Sequence, residues 1–329
     1  MLPDHHPEPV TTSRVTPSVL NRVRPRTGLG LLASLALLLN HTAHALPLQE
    51  TVYCPDMPTA WIVDEWSRSP QKRGYRISAG DPSSQELKVL ADFTHYSRLE
   101  VSIRRPPSPS EASVWRTLAA RGVQLNILEG ILPSLAELQF IDSLGFQKVL
   151  FVITGPQDPT LTQALGELKT PVSLTLAARA YPKYMDKESW VTIPPQVPLT
   201  VSTDFWPGYT QMDMLNLMSM SQSLRVKDMF PNEDSYPYLL NIKRLEQITI
   251  DTDFDPWDQG QVWQKLGAKK VRWNRRSNVP SKEVLEAFAR SAAPSLRSVT
   301  IDTDIELSRE ERKRLEDLPI PVEWLRSQN

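Results

Sequence analysis

The side chains best equipped for chemistry cluster late in the chain. Asp251, Asp253, Asp255 and Asp258 alternate over one short stretch. Carboxylates so spaced could converge on a hard cation such as calcium, which takes six to eight oxygens. The calcium-loop frame fails, however: Pro256 stands where the sixth-position glycine belongs, and Val262 where the twelfth-position glutamate belongs. Arg275 and Arg276 follow one unit later, then Asp302 and Asp304. Opposite charges on neighbouring strands satisfy one another without a metal, so ion pairing is the expected outcome. Asp251, Asp253 and Asp255 are the positions to watch if a metal binds, and no cofactor is expected.

Aromatic side chains form a second constellation. Tyr181 and Tyr184, then Phe205, Trp206 and Tyr209, then Phe230, Tyr236 and Tyr238, then Phe254 and Trp257 follow four consecutive strand candidates. All fall on one rim, at the C-terminal ends of the strands. Amphipathic aromatics on loops anchor peptides and sugars, and they also fill gaps between proline turns. The candidate ligand contacts are Tyr181, Tyr184, Trp206, Tyr209, Tyr236 and Trp257. Nucleophilic catalysis finds little support. A Ser-His-Asp triad would have to use His95, and no G-x-S-x-G elbow accompanies it. Cys54 is the single cysteine, which excludes an intramolecular disulfide and any multi-cysteine metal site.

These residues are positioned by a repeat. Apolar-x-apolar pairs recur at Tyr75/Ile77, Leu99/Val101, Leu125/Ile127, Val149/Phe151, Leu174/Leu176, Leu199/Val201, Leu224/Val226, Ile248/Ile250, Val271/Trp273, Val299/Ile301 and Val322/Trp324, 23 to 28 residues apart. Each pair marks a short strand with one buried face. Proline follows seven to nine residues after the first anchor in nine units, from Pro82 to Pro280. Such a proline suits the first helical turn, and Asp81 and Asp255 just before two of them are N-cap candidates. Helical spacing comes next, and Gly122, Gly145 and Gly267 stand where helices should stop. A (β/α)8 barrel takes eight units of about 31 residues. Eleven shorter units instead predict an open solenoid in one parallel sheet.

The frame Leu245-x-x-Ile248-x-Ile250, repeated at Leu296-x-x-Val299-x-Ile301 and more loosely at Phe146-x-x-Val149-x-Phe151, resembles the leucine-rich-repeat proteins. The similarity spans roughly residues 75 to 326 and is one of period and frame. The family's asparagine ladder is absent, because its position holds Asp204, Asp253 and Asp304 in three units and Arg104, Arg179 and Arg276 in others. The resemblance implies an open β/α solenoid of about eleven units over 75–329, with 46–74 as an N-terminal cap. The exposed column of the sheet then reads Glu100, Asn126, Leu150, Thr175, Thr200, Arg225, Thr249, Arg272, Thr300, Glu323. An apolar cluster at Leu128, Leu150 and Val152 sits on that face, so Leu150 and Val152 join the ligand-contact candidates unless the cap covers them.

Composition and address narrow the function classes. The chain has 329 residues, a net charge of −1, 29 prolines and only 12 glycines. A balanced charge argues against a dedicated nucleic-acid binder. Arg22, Arg24 and Arg26, the apolar run from Gly28 to Leu39, and Ala43-His44-Ala45 form a signal-peptide pattern over 1–45. The run is too short for the ~20 residues of a membrane span, and cleavage leaves His95 as the only histidine. The expected function is therefore exported (periplasmic, cell-envelope or secreted) recognition or scaffolding of a protein, peptide or glycan. The alternative is a carboxylate-dependent, glycosidase-like hydrolase using Asp204 with Asp228 or Asp253.

Overall fold

The computed structural model describes residues 49–256, 265–266, 270–275, 281, 284, 296–302, 307–317 and 321–327, with 296, 297, 302, 326 and 327 described by backbone alone. The expected leader over 1–45, together with Trp257, Asp258, Val262, Gly267, Arg276, Pro280 and Asp304, lies outside these residues. The chain divides at Ala43/His44, and all described residues belong to the second unit.

Among the described residues twelve strands run in sequence order: β1 Gln49–Cys54, β2 Arg73–Gly80, β3 Tyr96–Ile103, β4 Gln124–Gly130, β5 Val149–Ile153, β6 Val172–Arg179, β7 Leu199–Thr203, β8 Gln222–Lys227, β9 Leu245–Asp251, β10 Lys270–Arg275, β11 Leu296–Asp302 and β12 Val322–Ser327. Each pairs in parallel with the next. Among the described residues the connecting helices are α1 Ala60–Ser67, α2 Ser84–Asp92, α3 Ala112–Ala120, α4 Leu135–Ser143, α5 Pro159–Ala164, α6 Lys187–Val191, α7 Tyr209–Leu217, α8 Tyr236–Asn241 and α9 Arg309–Glu316. No helix among them is long and apolar enough to cross a membrane.

The architecture is α/β with one parallel sheet, but the sheet is not open. β1 pairs with β12, Thr51 opposite Leu325 and Tyr53 opposite Ser327, and closes a barrel. This corrects the expected leucine-rich-repeat-like solenoid. The closing strand comes from the segment 46–74, read from sequence as a cap, which carries β1 and α1 and so repeats the common unit. Followed round the barrel, the register shifts by about one residue per strand. An eight-stranded barrel of shear eight has the same ratio and a tilt of roughly 36°. Closure therefore needs no new strand geometry, only more strands. With twelve, each strand turns about 30° rather than 45° from its neighbour, so a short helix covers the outer arc.

Every anchor pair points outward, under the helices. Leu99, Val101, Leu125, Ile127, Val149, Phe151, Leu199, Val201, Leu224 and Val226 are buried there with Leu87, Leu90, Leu118, Leu138 and Leu215 from the helices. Helix starts follow local chemistry. The side chains of Ser83, Ser134 and Ser308 each accept from the backbone N–H three residues on, and Glu86, Glu137 and Glu311 return the bond. The N-cap of α2 is thus Ser83, after the proline, and not Asp81. Proline favours extended backbone in the residue before it, which holds the approach to the cap rather than the first turn. Gly122 and Gly145 take φ of 78° and 79° just past α3 and α4, a conformation that glycine adopts without steric cost.

Candidate functional site

The inward face of the barrel builds the site. Eight strands enclose an interior that side chains just fill; here twelve leave a cavity of about 520 Å³. Every strand contributes at least one lining residue, and one row of them reads Tyr53, Arg76, Glu100, Asn126, Leu150, Thr175, Thr200, Arg225, Thr249, Arg272, Thr300 and Glu323. The column read from sequence as the exposed face of an open sheet is therefore the wall of a chamber. Tyr53 and Arg76 were missed because the column began at β3, although Arg76 stands one residue after the Tyr75 anchor and follows the same rule.

The chamber has two kinds of wall. On the seam side, Thr51 Oγ1 donates to Glu323 Oε1 at 2.9 Å and Arg76 Nη2 donates to the same oxygen at 3.2 Å. Arg76 Nε lies 3.4 Å from Glu100, whose other oxygen is 2.5 Å from Arg98 Nη2. This belt links β12, β1, β2 and β3. On the far side, Arg225 Nε donates to Asp251 Oδ2 at 2.6 Å and Asn274 Nδ2 donates to Asp251 Oδ1 at 2.6 Å. Between them β4 to β7 present Asn126, Leu150, Thr175 and Thr200, a wall without charge.

Glycine at position 74 shapes the belt. A Cβ there would stand 2.8 Å from Thr51 Oγ1, displacing the hydroxyl that binds Glu323. Gly74→Ala is expected to cost about 1.5–3 kcal/mol, the scale of a hydrogen bond to a charged group. Chemical denaturation should show that cost in the wild type and little of it in a Thr51→Ala background. An equal cost in both would place the effect elsewhere.

Among the described residues, Asp251, Asp253 and Asp255 do not converge on one point. Asp251 is held as above, Asp255 Oδ1 accepts from Arg275 at 2.6 Å, and the Asp253 carbonyl accepts from Arg275 at 2.6 Å. No group of three acidic, histidine or cysteine ligands gathers among the described residues.

The aromatic rim divides. Tyr181 is buried, its hydroxyl donating to the Phe205 carbonyl at 3.1 Å and its ring edge-on to Phe205 at 5.3 Å. Trp206 and Tyr236 are also buried, with Lys265 lying over the Tyr236 ring. Tyr184 and Tyr209 are exposed. Tyr181, Tyr184 and Phe205 line a separate apolar pocket of about 240 Å³ with Pro182 and Met214. Leu150 lines the chamber, and Val152 shares its face of β5, half-buried.

No family model and no curated protein matches this chain. Among solved structures, the apo-structure of D-lactate dehydrogenase from Escherichia coli matches over 84% of this chain and 88% of its own, with 12% identity and a TM-score of 0.20. At that score the likeness carries no argument about fold or activity.

Cys54 is buried at the end of β1, and burial pushes its thiol up to about 11. A pKa raised by folding contributes stability that is whole below the thiol's ordinary value and is lost as pH rises through about 11. Tyr75, pushed up to about 12 chiefly by burial, acts in the same direction at higher pH. Unfolding free energy is therefore expected to hold steady from neutrality to about pH 8.5 and then to fall, with Cys54 contributing about 2–3 kcal/mol of the loss. Denaturation curves across this range should show a shallower alkaline decline in Cys54→Ala; an unchanged decline would contradict the assignment.

Proposed function

We propose that this protein is a non-catalytic binding barrel that admits a small polar molecule to its lumen. The chamber carries this proposal: about 520 Å³, lined by all twelve strands, within the size range of small-molecule sites. Its three carboxylates described in full, Glu100, Asp251 and Glu323, are all held by arginines. Glycoside hydrolysis needs an acid with a raised pKa and a second free carboxylate. Glu129 is raised by burial and by the nearby Glu137, but it does not line the chamber. Binding is thus favoured over the hydrolase alternative.

Blocking the chamber tests the proposal. Thr200→Trp places an indole against the uncharged wall. Saturation-transfer NMR with hexoses, hexose phosphates, amino acids and nucleosides should find a class that binds the wild type and not this variant. Binding by neither protein, or equal binding by both, would overturn the proposal.

The rim pocket supports a second mode, docking of a peptide or glycan beside Tyr184 and Phe205, the exposed aromatic side chains that line it. An exported location is part of the same proposal. It rests on the signal pattern and on a barrel whose first strand begins at Gln49, beyond the expected cleavage after Ala45. N-terminal sequencing of mature protein should begin at Leu46; a cytoplasmic product retaining Met1 would contradict it.

A further inference from the structure

Among the described side chains the chamber charges do not balance, and the imbalance has an address. We infer that the wall formed by β8, β9 and β10 is an oxyanion site, where Arg272 and Arg225 receive the carboxylate or phosphate of a small hydroxylated molecule. This deepens the binding proposal and rests on it.

Arg225, Thr249 and Arg272 stand in one register row, Arg225 opposite Thr249 and Thr249 opposite Arg272. The two arginine backbones are thus two strand spacings apart, roughly 10 Å. Long side chains from both can meet one anion above the Thr249 hydroxyl. Asp251 holds Arg225 through Nε alone, and its second oxygen is taken by Asn274. Among the described residues the terminal nitrogens of Arg225 make no hydrogen bond, and Arg225 is 45% exposed. Arg272 goes further: exposed within the chamber lining, it has no carboxylate within 4 Å and no hydrogen bond among the described residues. The belt offers it no partner, because Glu323 and Glu100 are already engaged by Thr51, Arg76 and Arg98.

A guanidinium presents a planar fork that matches carboxylate and phosphate oxygens in pairs. Arg225 is held in place by Asp251 and Arg272 adds the net charge, so together they attract one anion with a fixed orientation. The adjoining wall of β5 to β7, with Leu150, Thr175 and Thr200, brings hydroxyls and methyls to an uncharged body. A hydroxylated acid or a phosphate monoester fits both walls; a neutral sugar leaves the guanidinium without a counter-charge.

Isothermal titration of the full chain with a hexose 6-phosphate, a hexuronate and the plain hexose tests the assignment. At least one anion should bind ten-fold or more tighter than the hexose, and its affinity should weaken with added salt. Which anion binds tighter tells phosphate from carboxylate. Arg272→Gln should abolish the preference of the anion over the hexose, and Arg272→Lys should restore part of it. Equal binding of all three ligands, or a preference that survives Arg272→Gln, overturns the oxyanion site. Binding that is still lost in Thr200→Trp would then leave the chamber itself standing. If none of the three binds, the oxyanion site falls, and the chamber proposal is decided by the saturation-transfer screen with its amino acids and nucleosides.

Discussion

Replacing Arg275 by alanine is expected to destabilise the protein by about 3–5 kcal/mol, more than any surface change. Arg275 is 2% exposed at the end of β10. It donates to the Asp255 carboxylate at 2.6 Å and to the Asp253 and Phe254 carbonyls at 2.6 and 3.3 Å, while its guanidinium stacks on Trp273 at 4.7 Å. One side chain thereby ties the segment after β9 to the next strand. Truncation leaves a carboxylate and two carbonyls without these bonds, and loses the ring contact as well. Arg275→Lys should recover only part of the loss, since an ammonium cannot reproduce the fork. Urea unfolding reads the difference, and a loss below ~1 kcal/mol in Arg275→Ala would show that the clamp is idle.

Trp206→Ala is expected to cost about 3–5 kcal/mol, the range for a packed tryptophan, whereas Tyr209→Ala should stay within about 0.5 kcal/mol. Trp206 is 9% exposed and packs with the main core, while Tyr209, at the start of α7, is 67% exposed. The indole N–H of Trp206 is buried without a hydrogen-bond partner among the described residues. Trp206→Phe therefore loses volume and no hydrogen bond, and it should recover most of the stability. Thermal or chemical melts of the three variants separate packing from decoration. Comparable small losses in Trp206→Ala and Tyr209→Ala would return Trp206 to the exposed rim.

The repeat was legible because burial acts on alternate residues. Each apolar-x-apolar pair from Tyr75/Ile77 to Val322/Trp324 falls in a strand and faces the helices. The glycines Gly122 and Gly145 stop helices as their lack of a Cβ requires. Closure was not legible, since neighbouring strands pair identically in open and closed sheets and the period carries no record of curvature. The strand that closes the circle, QETVYC, hid in the segment read as a cap. Its inward Thr51 and Tyr53 and outward Val52 and Cys54 alternate like the rest, and the Val52/Cys54 pair stands opposite Tyr75/Ile77. The chamber wall was visible as a column of residues, yet its meaning depended on closure: the same Glu100-to-Glu323 column is an outer face in one topology and a lumen in the other. The rim aromatics illustrate a different limit. Spacing placed them at strand ends, but whether a ring packs or projects depends on the loop ahead of it, as Trp206 and Tyr209 show only three residues apart.

The central claim is the closed barrel, and hydrogen exchange at its seam tests it most directly. In a closed barrel β1 and β12 each have neighbours on both sides, so their amides exchange only with the barrel as a whole. In an open sheet both would be edges, with about half their amides facing water. Exchange resolved by mass spectrometry should show peptides covering 49–54 and 322–327 protected as strongly as the β5 and β6 peptides on the far wall. Rapid exchange of half the amides in both seam strands, beside a protected β5 and β6, would contradict the barrel and the chamber with it.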